Sequence, residues 1–385
     1  MNVLILHSRY ASGSNSGENR VVEDEFRLLS EGGNHVDAWT PRYEQMGAIR
    51  AGIDAVWSRR ARTETARRVS EQQIDVIHAH NVFPMLSPAV LRIDLPTVMT
   101  LHNFRLSCLP ATFLRDGRIC EDCLGHVPWR GIAHGCYRDS RSASSVLATS
   151  LALHRAIRTF DRVDRFIVLS EFQRQKLGFA GLDPERMVVR RNFAWPAERR
   201  RGPGEYFLIL GRLSAEKGLD TVIGSWRSPL PLLVVGDGPE RERLEALARP
   251  GVEFRGRVES DEAAGLLSRA RTLLYPSRCY EGSPRAVIEA LAAGVPVIAS
   301  DIGGLPEHVS HDISGLLVRV DDADAWAEAV EVLADDATSE RLGQGANESW
   351  RKNFSPEVAL TSLEQIYREA IEHAPFERGE CNEDT

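Results

Sequence analysis

Cysteine is scarce in this chain, 6 residues in 385. The start lacks a charged segment followed by a long apolar stretch and a small-residue cleavage site, because Met1 to Leu6 reads MNVLIL and turns polar at His7. These absences argue against a disulfide scaffold and against an export signal, so the expected setting is the reducing cytoplasm. Clustered cysteines then read as metal ligands or chemistry before disulfides. No apolar run reaches the roughly 18 to 20 residues of a membrane-spanning helix; short pieces such as Val146 to Leu153 come nearest. Low-complexity tracts are missing too. What is present, 43% hydrophobic and 26% charged residues with 30 Gly and 19 Pro, is the composition of a folded protein. The length predicts two domains, since a single core stops growing at roughly 250 to 300 residues.

The net charge of −8 hides an asymmetry: residues 1–202 carry 29 Lys and Arg against 22 Asp and Glu, whereas 203–385 carry 18 against 33. A basic first half suits phosphate-bearing or membrane-surface partners, and the acidic second half argues against nucleic-acid binding. Arg59, Arg60, Arg62, Arg67 and Arg68 crowd one helical stretch of the basic half. They form either a solvated face or a docking face for anionic headgroups or a lipid-linked diphosphate acceptor at the inner side of a membrane.

Short apolar runs alternate with helical patterns. Asn2 to His7, His35 to Thr40, Ile74 to Ala79, Pro96 to Leu101 and Arg165 to Leu169 read as buried strands. Gly17 to Ser30 reads as an amphipathic helix with Val21, Val22, Phe26 and Leu29 inside, and Ser170 as the N-cap of a helix over Glu171 to Leu177. The stretch Asn192 to Glu205, with its Pro, Gly and three consecutive Arg, marks a hinge, after which alternation restarts at Tyr206 to Leu210 and continues through Leu232 to Val235, Val252 to Phe254, Thr272 to Tyr275 and Val295 to Ala299. The expectation is α/β: a Rossmann-like doubly wound domain over 1–200 and a second over 201–371, with residues 372–385 packing back on the first. Pro356 opens a final helix at its first position, after Ser355.

Ligands of open parallel sheets bind beyond the carboxyl ends of the strands. The first such loop, Ser8 to Gly17, is Gly-rich and enters a helix N-terminus, which offers free N–H groups to phosphate or hydroxyls. After Tyr206 to Leu210 come Gly211, Arg212 and, five residues on, Lys217: two cations that suit a diphosphate and the charge that builds when one departs. Tyr280 to Gly294 carries Glu281 before a helix and Glu289 inside it, with Ser283 expected as N-cap and Pro284 as first helical residue. Helical rise keeps these carboxylates too far apart for a retaining-glycosidase pair, so they suit two ends of one long ligand.

At these residues the sequence resembles glycosyltransferase family 4, retaining enzymes of the GT-B fold, in which two Rossmann-like domains face each other across a cleft. The resemblance rests on Gly211-Arg212-x4-Lys217-Gly218, Val234 to Pro239, Phe254 to Val258, Tyr275-Pro276-Ser277, Glu281-x7-Glu289 and Pro296 to Ser300 with Gly303, Gly304 and Glu307. Weaker parts are Gly17 to Val22, Leu101-His102-Asn103, Leu169-Ser170-Glu171 and Arg191-Asn192. It implies transfer of a hexose-type sugar from a nucleotide-sugar donor to a hydroxyl acceptor, in cell-surface polysaccharide or glycoconjugate assembly. By the same resemblance Arg212 and Lys217 hold the diphosphate and Glu289 the ribose. Glu281 and the backbone of Gly282, Ser283, Pro284 and Arg285 grip the sugar, Arg257 and Val258 meet the base, and His102 lies beside the anomeric carbon, with Gly17 and Gly211 at the loops. Front-face attack without a divalent metal is implied. Ser283-Pro284-Arg285 departs from the Phe-Gly or Phe-Pro common after the Glu-Gly pair, which touches sugar identity. The alternatives are a GT-B epimerase or phosphorylase, and an inactive donor-binding accessory subunit.

Cys108-x11-Cys120-x2-Cys123-x12-Cys136 adds a CxxC flanked by two further cysteines. Four thiolates could close a tetrahedral structural zinc site; the alternatives are four free thiols, or a redox pair at Cys120 and Cys123.

Overall fold

The computed structural model describes residues 1–9, 17–42 and 48–373. The first lobe holds β1 (Asn2–Leu6), β2 (His35–Trp39), β3 (Val76–Ala79) and β4 (Thr97–Leu101). After a small antiparallel pair, β5 (Leu114–Arg115) and β6 (Arg118–Ile119), come β7 (Arg165–Val168) and β8 (Met187–Val189). Six of these make one parallel sheet in the order β2-β1-β3-β4-β7-β8. The second lobe repeats the plan with β9 (Tyr206–Leu210), β10 (Leu232–Val235), β11 (Val252–Gly256), β12 (Ala270–Tyr275), β13 (Val297–Ser300) and β14 (Gly315–Val318), ordered β11-β10-β9-β12-β13-β14.

The inner strands are near-continuous apolar runs because each sheet is covered on both faces, whereas the edge strands β2 and β11 carry charged residues. In β1, Leu4 and Leu6 join the cluster on one side, while Val3 and Ile5 pack with Val22 and Leu29 of the helix Gly17–Glu31 on the other. Leu363, Ile366 and Tyr367 of the final helix, Pro356–His373, complete that second cluster. The second lobe therefore ends near Phe354, not at 371, and the chain crosses back a whole helix earlier than expected. The cause is the apolar stripe of that helix, which closes the otherwise open face of the first sheet. Of the stretch expected to make that return, 374–385 lie outside the described residues. Among the described residues no helix is long and apolar enough to cross a membrane.

One helix departs from its sequence reading. Gly17–Glu31 buries Asp24 and Glu25 beside Val21, Val22, Leu28 and Leu29, whereas Phe26 is exposed. Periodicity places acids outside by default; here buried partners, described below, draw two of them in.

Each sheet has one point where strand order reverses, β1/β3 in the first lobe and β9/β12 in the second, and the loops leaving those strands flank a crevice.

Candidate functional site

A cleft of about 810 Å³ opens at the second lobe's reversal point and reaches the first lobe. Of the residues expected from sequence, Gly17, Gly211, Arg212, Lys217, Arg257 and Val258 line it. Gly17 is the first residue of its helix, so that N-terminus faces the cations of the opposite wall. Most of the loop before it, residues 10–16, lies outside the described residues.

The turn after β9 has a steric reason. Gly218 adopts φ +61°, and a Cβ there would stand 2.2 Å from the carbonyl oxygen of Pro276, so only glycine lets this turn lie against the strand-end loop that follows β12. Lys217 is thereby delivered to that loop. Its Nζ donates to Glu281 Oε1 at 2.6 Å and to the Tyr275 hydroxyl at 3.0 Å, and Ser277 Oγ donates to the same carboxylate oxygen at 3.0 Å. Burial pulls the Lys217 ammonium down, but the carboxylate of Glu281, with Tyr275 and Cys279, outweighs it and holds the lysine well above its ordinary range. Burial likewise raises Glu281 and Lys217 more than compensates, so the pair is ionised. Glu216, the nearer acid in sequence, instead accepts from Ser214 Oγ. Arg212 is exposed and has no ion pair or hydrogen bond among the described residues, a guanidinium free to meet an anion.

The segment from Gly282 to Arg285 is packed against the first lobe instead of lining this cleft. Ser283 is not the cap: Pro284 holds that position and the helix begins at Arg285, without a side-chain cap bond. The Ser283 hydroxyl instead accepts from the backbone N–H of Asn192 at 3.0 Å and shares a hydrogen bond with His308 Nε2 at 2.8 Å. A Cβ on Gly282 would touch Leu169. Arg285 bridges the lobes by pairing with Asp24 of the first and with Glu289 at 2.6 Å on its own helix. Glu289 and Arg285 are thus partners, which answers how a carboxylate sits on so apolar a helix. Glu281 pairs with Lys217 and Glu289 with Arg285, each at 2.6 Å. Glu307 is a further clamp, accepting from the backbone N–H groups of Glu171 and Phe172 at 2.8 Å each, and from Arg191 at 3.1 Å.

His102, directly after β4, is half-buried and lines a second, small space of about 30 Å³ with Glu18, His80 and Asn103. Gly17 and Glu18 are adjacent, so the two spaces share one helix N-terminus. Desolvation lowers the His102 pKa, leaving the imidazole neutral near pH 7. Behind it lie residues that sequence reasoning missed: His80, Glu25, Arg190 and His78. The alternation His78-x-His80 on a strand was the available signal; Glu25 and Arg190 gave none, being single charges among many.

The four cysteines are all free and line one space of about 20 Å³. Cys108, pushed up to about 11 by burial, accepts backbone hydrogen bonds from Phe113, Ala111 and Thr112, and Cys123 accepts one from Gly131. No three of the sulfurs lie mutually within 4.8 Å. Tetrahedral Zn–S bonds of about 2.3 Å put sulfurs about 3.8 Å apart, so closure requires the side chains to turn inward. Of the arginine stretch, Arg67 and Arg68 are engaged with Glu64, Glu71 and Asp37, while Arg59, Arg60 and Arg62 remain exposed.

Residues 16–194 match the family described as Glycosyltransferase Family 4, and residues 204–336 match Glycosyl transferases group 1. Glycogen synthase of Mycobacterium tuberculosis is 33% identical over 188 residues, 45% of each chain. The chain thus spans about half the length of the curated relatives it matches. Sucrose-phosphate synthase of Thermosynechococcus elongatus superposes with a TM-score of 0.71 at 22% identity, covering 96% of this chain and 99% of that one. Anabaena HepE in complex with UDP-glucose superposes at 0.64 and 16% identity, over 96% and 99% of the two chains. These likenesses give the fold, GT-B.

Proposed function

Because the chain belongs to glycosyltransferase family 4 through its first lobe and to the group 1 glycosyltransferases through its second, we propose that it moves a hexose-type sugar from a nucleotide-sugar donor to a hydroxyl acceptor with retention, in assembly of a polysaccharide or glycoconjugate. The observation that carries this reading is the cleft itself: a helix N-terminus at Gly17 on one side, Arg212, Lys217 and Arg257 on the other, and a volume within the range of small-molecule sites. HepE, whose structure holds UDP-glucose, supports a nucleotide-sugar donor.

In this reading Arg212 forks onto the diphosphate and Lys217 supplies a point charge. The acceptor hydroxyl attacks the anomeric carbon on the face the diphosphate leaves. The C–O bond to the diphosphate breaks, the acceptor proton passes to the departing oxygen, and the two cations stabilise the charge developing there. Arg257 and Val258 meet the base. Glu289 is the ribose ligand and Glu281 the sugar ligand; for either to act, Arg285 and Lys217 must share their carboxylates with the donor.

The test is a thermal-shift panel of UDP, GDP, ADP and dTDP sugars. A donor at a hundredfold excess over its Kd is expected to stabilise the protein by about 2.7 kcal/mol. A flat response to every conjugate would overturn the reading.

We also propose that the four-cysteine space takes a structural zinc ion, supported by the shared cavity and the backbone N–H groups already aimed at Cys108 and Cys123. Elemental analysis of tag-free protein is expected to give one zinc per chain, lost in Cys120→Ser; metal-free protein with four titratable thiols in this segment would refute it.

A further inference from the structure

Two buried atoms behind His102 look unsatisfied and face each other. Glu25 Oε2 and His80 Nε2 each lack a hydrogen bond of good geometry, yet stand 3.4 Å apart with both side chains essentially fully buried. On the far side of the His80 ring, Nδ1 lies 2.8 Å from His102 Nε2, with the two rings tilted by only 13°. The other Glu25 oxygen is held at 2.6 Å by Arg190 Nη1, so the carboxylate is fixed and ionised.

Only one proton fits between His80 Nδ1 and His102 Nε2. If His80 carried it, its bare Nε2 would confront a carboxylate oxygen, two acceptors buried face to face, at the cost of an unmade hydrogen bond to an ionised group. If His102 carries it, His80 places its own proton on Nε2, directed at Glu25, and both orphaned atoms gain a partner. The carboxylate thus dictates the second arrangement. His102 is then left with a bare Nδ1, which has no partner among the described residues, on a ring that lines the space shared with Glu18 and Asn103.

Glu25, His78 and His80 also form the one group of potential metal ligands within 4.8 Å of one another among the described residues. A cation is disfavoured there. Arg190 already supplies the positive charge, and both nitrogens of His78 are engaged, with Thr100 Oγ1 at 2.7 Å and the Tyr367 hydroxyl at 2.7 Å.

We propose that Glu25 and His80 are positioning residues that lock His102 in the Nε2–H tautomer, so that its Nδ1 accepts a hydrogen bond from a hydroxyl of the bound sugar or acceptor. The tautomer is a property of the free protein; only the hydroxyl contact rests on the transferase reading.

The test is histidine-selective ¹⁵N NMR of the ligand-free full chain, assigned through His102→Gln and His80→Asn. A bare ring nitrogen resonates well downfield of a protonated one, and the expectation is a bare Nδ1 on both His80 and His102. Glu25→Gln is expected to reverse both: the amide oxygen stays with Arg190, the NH₂ faces His80 Nε2, and the proton pattern inverts. Turnover should then fall about 10- to 100-fold, the range for losing an outer hydrogen-bond partner, with donor KM little changed. A bare Nε2 on His102 in the unaltered protein overturns the proposal even if sugar transfer is observed. Conversely, the expected tautomers in a protein that binds no nucleotide sugar leave the lock standing and remove the hydroxyl. Should Glu25→Gln fail to fold, the unaltered protein's spectrum decides alone.

Discussion

Lys217→Ala is expected to slow sugar transfer by about 10²- to 10³-fold in kcat, the loss typical of removing one preorganised donor to developing charge. The ammonium lines the cleft at the strand end where the proposed reading puts the diphosphate, and the turn that delivers it tolerates no side chain at Gly218. A rival cause exists for any such loss. Lys217 is the ion-pair partner of Glu281, and without it the carboxylate keeps only neutral donors, among them the Ser277 hydroxyl at 3.0 Å and the Cys279 thiol at 3.8 Å. An orphaned partly buried carboxylate destabilises its surroundings and climbs in pKa. The variant Lys217→Ala/Glu281→Gln separates the two causes. Because Glu281 is itself placed on the sugar, Glu281→Gln alone is the reference: if the lysine acts on the leaving group, the double variant is about 10²- to 10³-fold slower than that reference; if the damage is the orphaned acid, the two turn over alike. Initial rates within threefold of the unaltered protein for Lys217→Ala alone would remove the lysine from the mechanism.

Glu25→Ala is expected to cost about 3–5 kcal/mol of stability, the range for breaking a buried ion pair by deleting one partner. Glu25 and Arg190 are 1% and 3% exposed, and deletion strands a guanidinium in the core between the helix Gly17–Glu31 and the sheet. The urea midpoint at pH 7 measures it; a loss under about 1 kcal/mol would mean that water or a neighbour replaces the carboxylate. The pair also sets a pH window. Burial raises the Glu25 pKa, but Arg190 and His78 prevail and its carboxyl is held below the ordinary value of 4.5, so its contribution is complete above that value and fades as pH falls through the folded pKa. Desolvation lowers His7, His78 and His308 from 6.5 to about 4. Their unfolded forms bind protons first, so stability is full above pH 6.5 and declines progressively from there towards pH 4 and below. Both effects push the same way, towards loss of the fold in mild acid.

Much of the site was legible because its chemistry is local in sequence. A strand, a glycine turn and a cation five residues on make the Arg212 to Lys217 wall by themselves, and Val258 follows its own strand in the same way. The chain passes from one sheet to the other between Val189 and Tyr206, across a stretch whose Pro, Gly and clustered Arg cannot continue a strand. What failed was pairing. Nothing in the sequence tells that Arg285 reaches Asp24 across 261 residues, or that Glu281 spends its charge on Lys217. Ser283 has the identity of a helix cap, and a proline in the cap position beside it turned its hydroxyl over to Asn192 and His308. The buried acids of the first helix were hidden by the rule that usually serves, that charge stays outside unless paired.

The sequence by itself determined the doubly wound architecture, the twofold division and the motifs at the strand ends, because hydrophobic periodicity and turn chemistry act over a few residues. Only the tertiary structure decided which carboxylate neutralises which cation, which helix covers the first sheet, and which histidine stands behind His102. Those choices depend on burial, and burial is settled only when distant segments meet: a charge drawn out of water must find its partner wherever the fold places one.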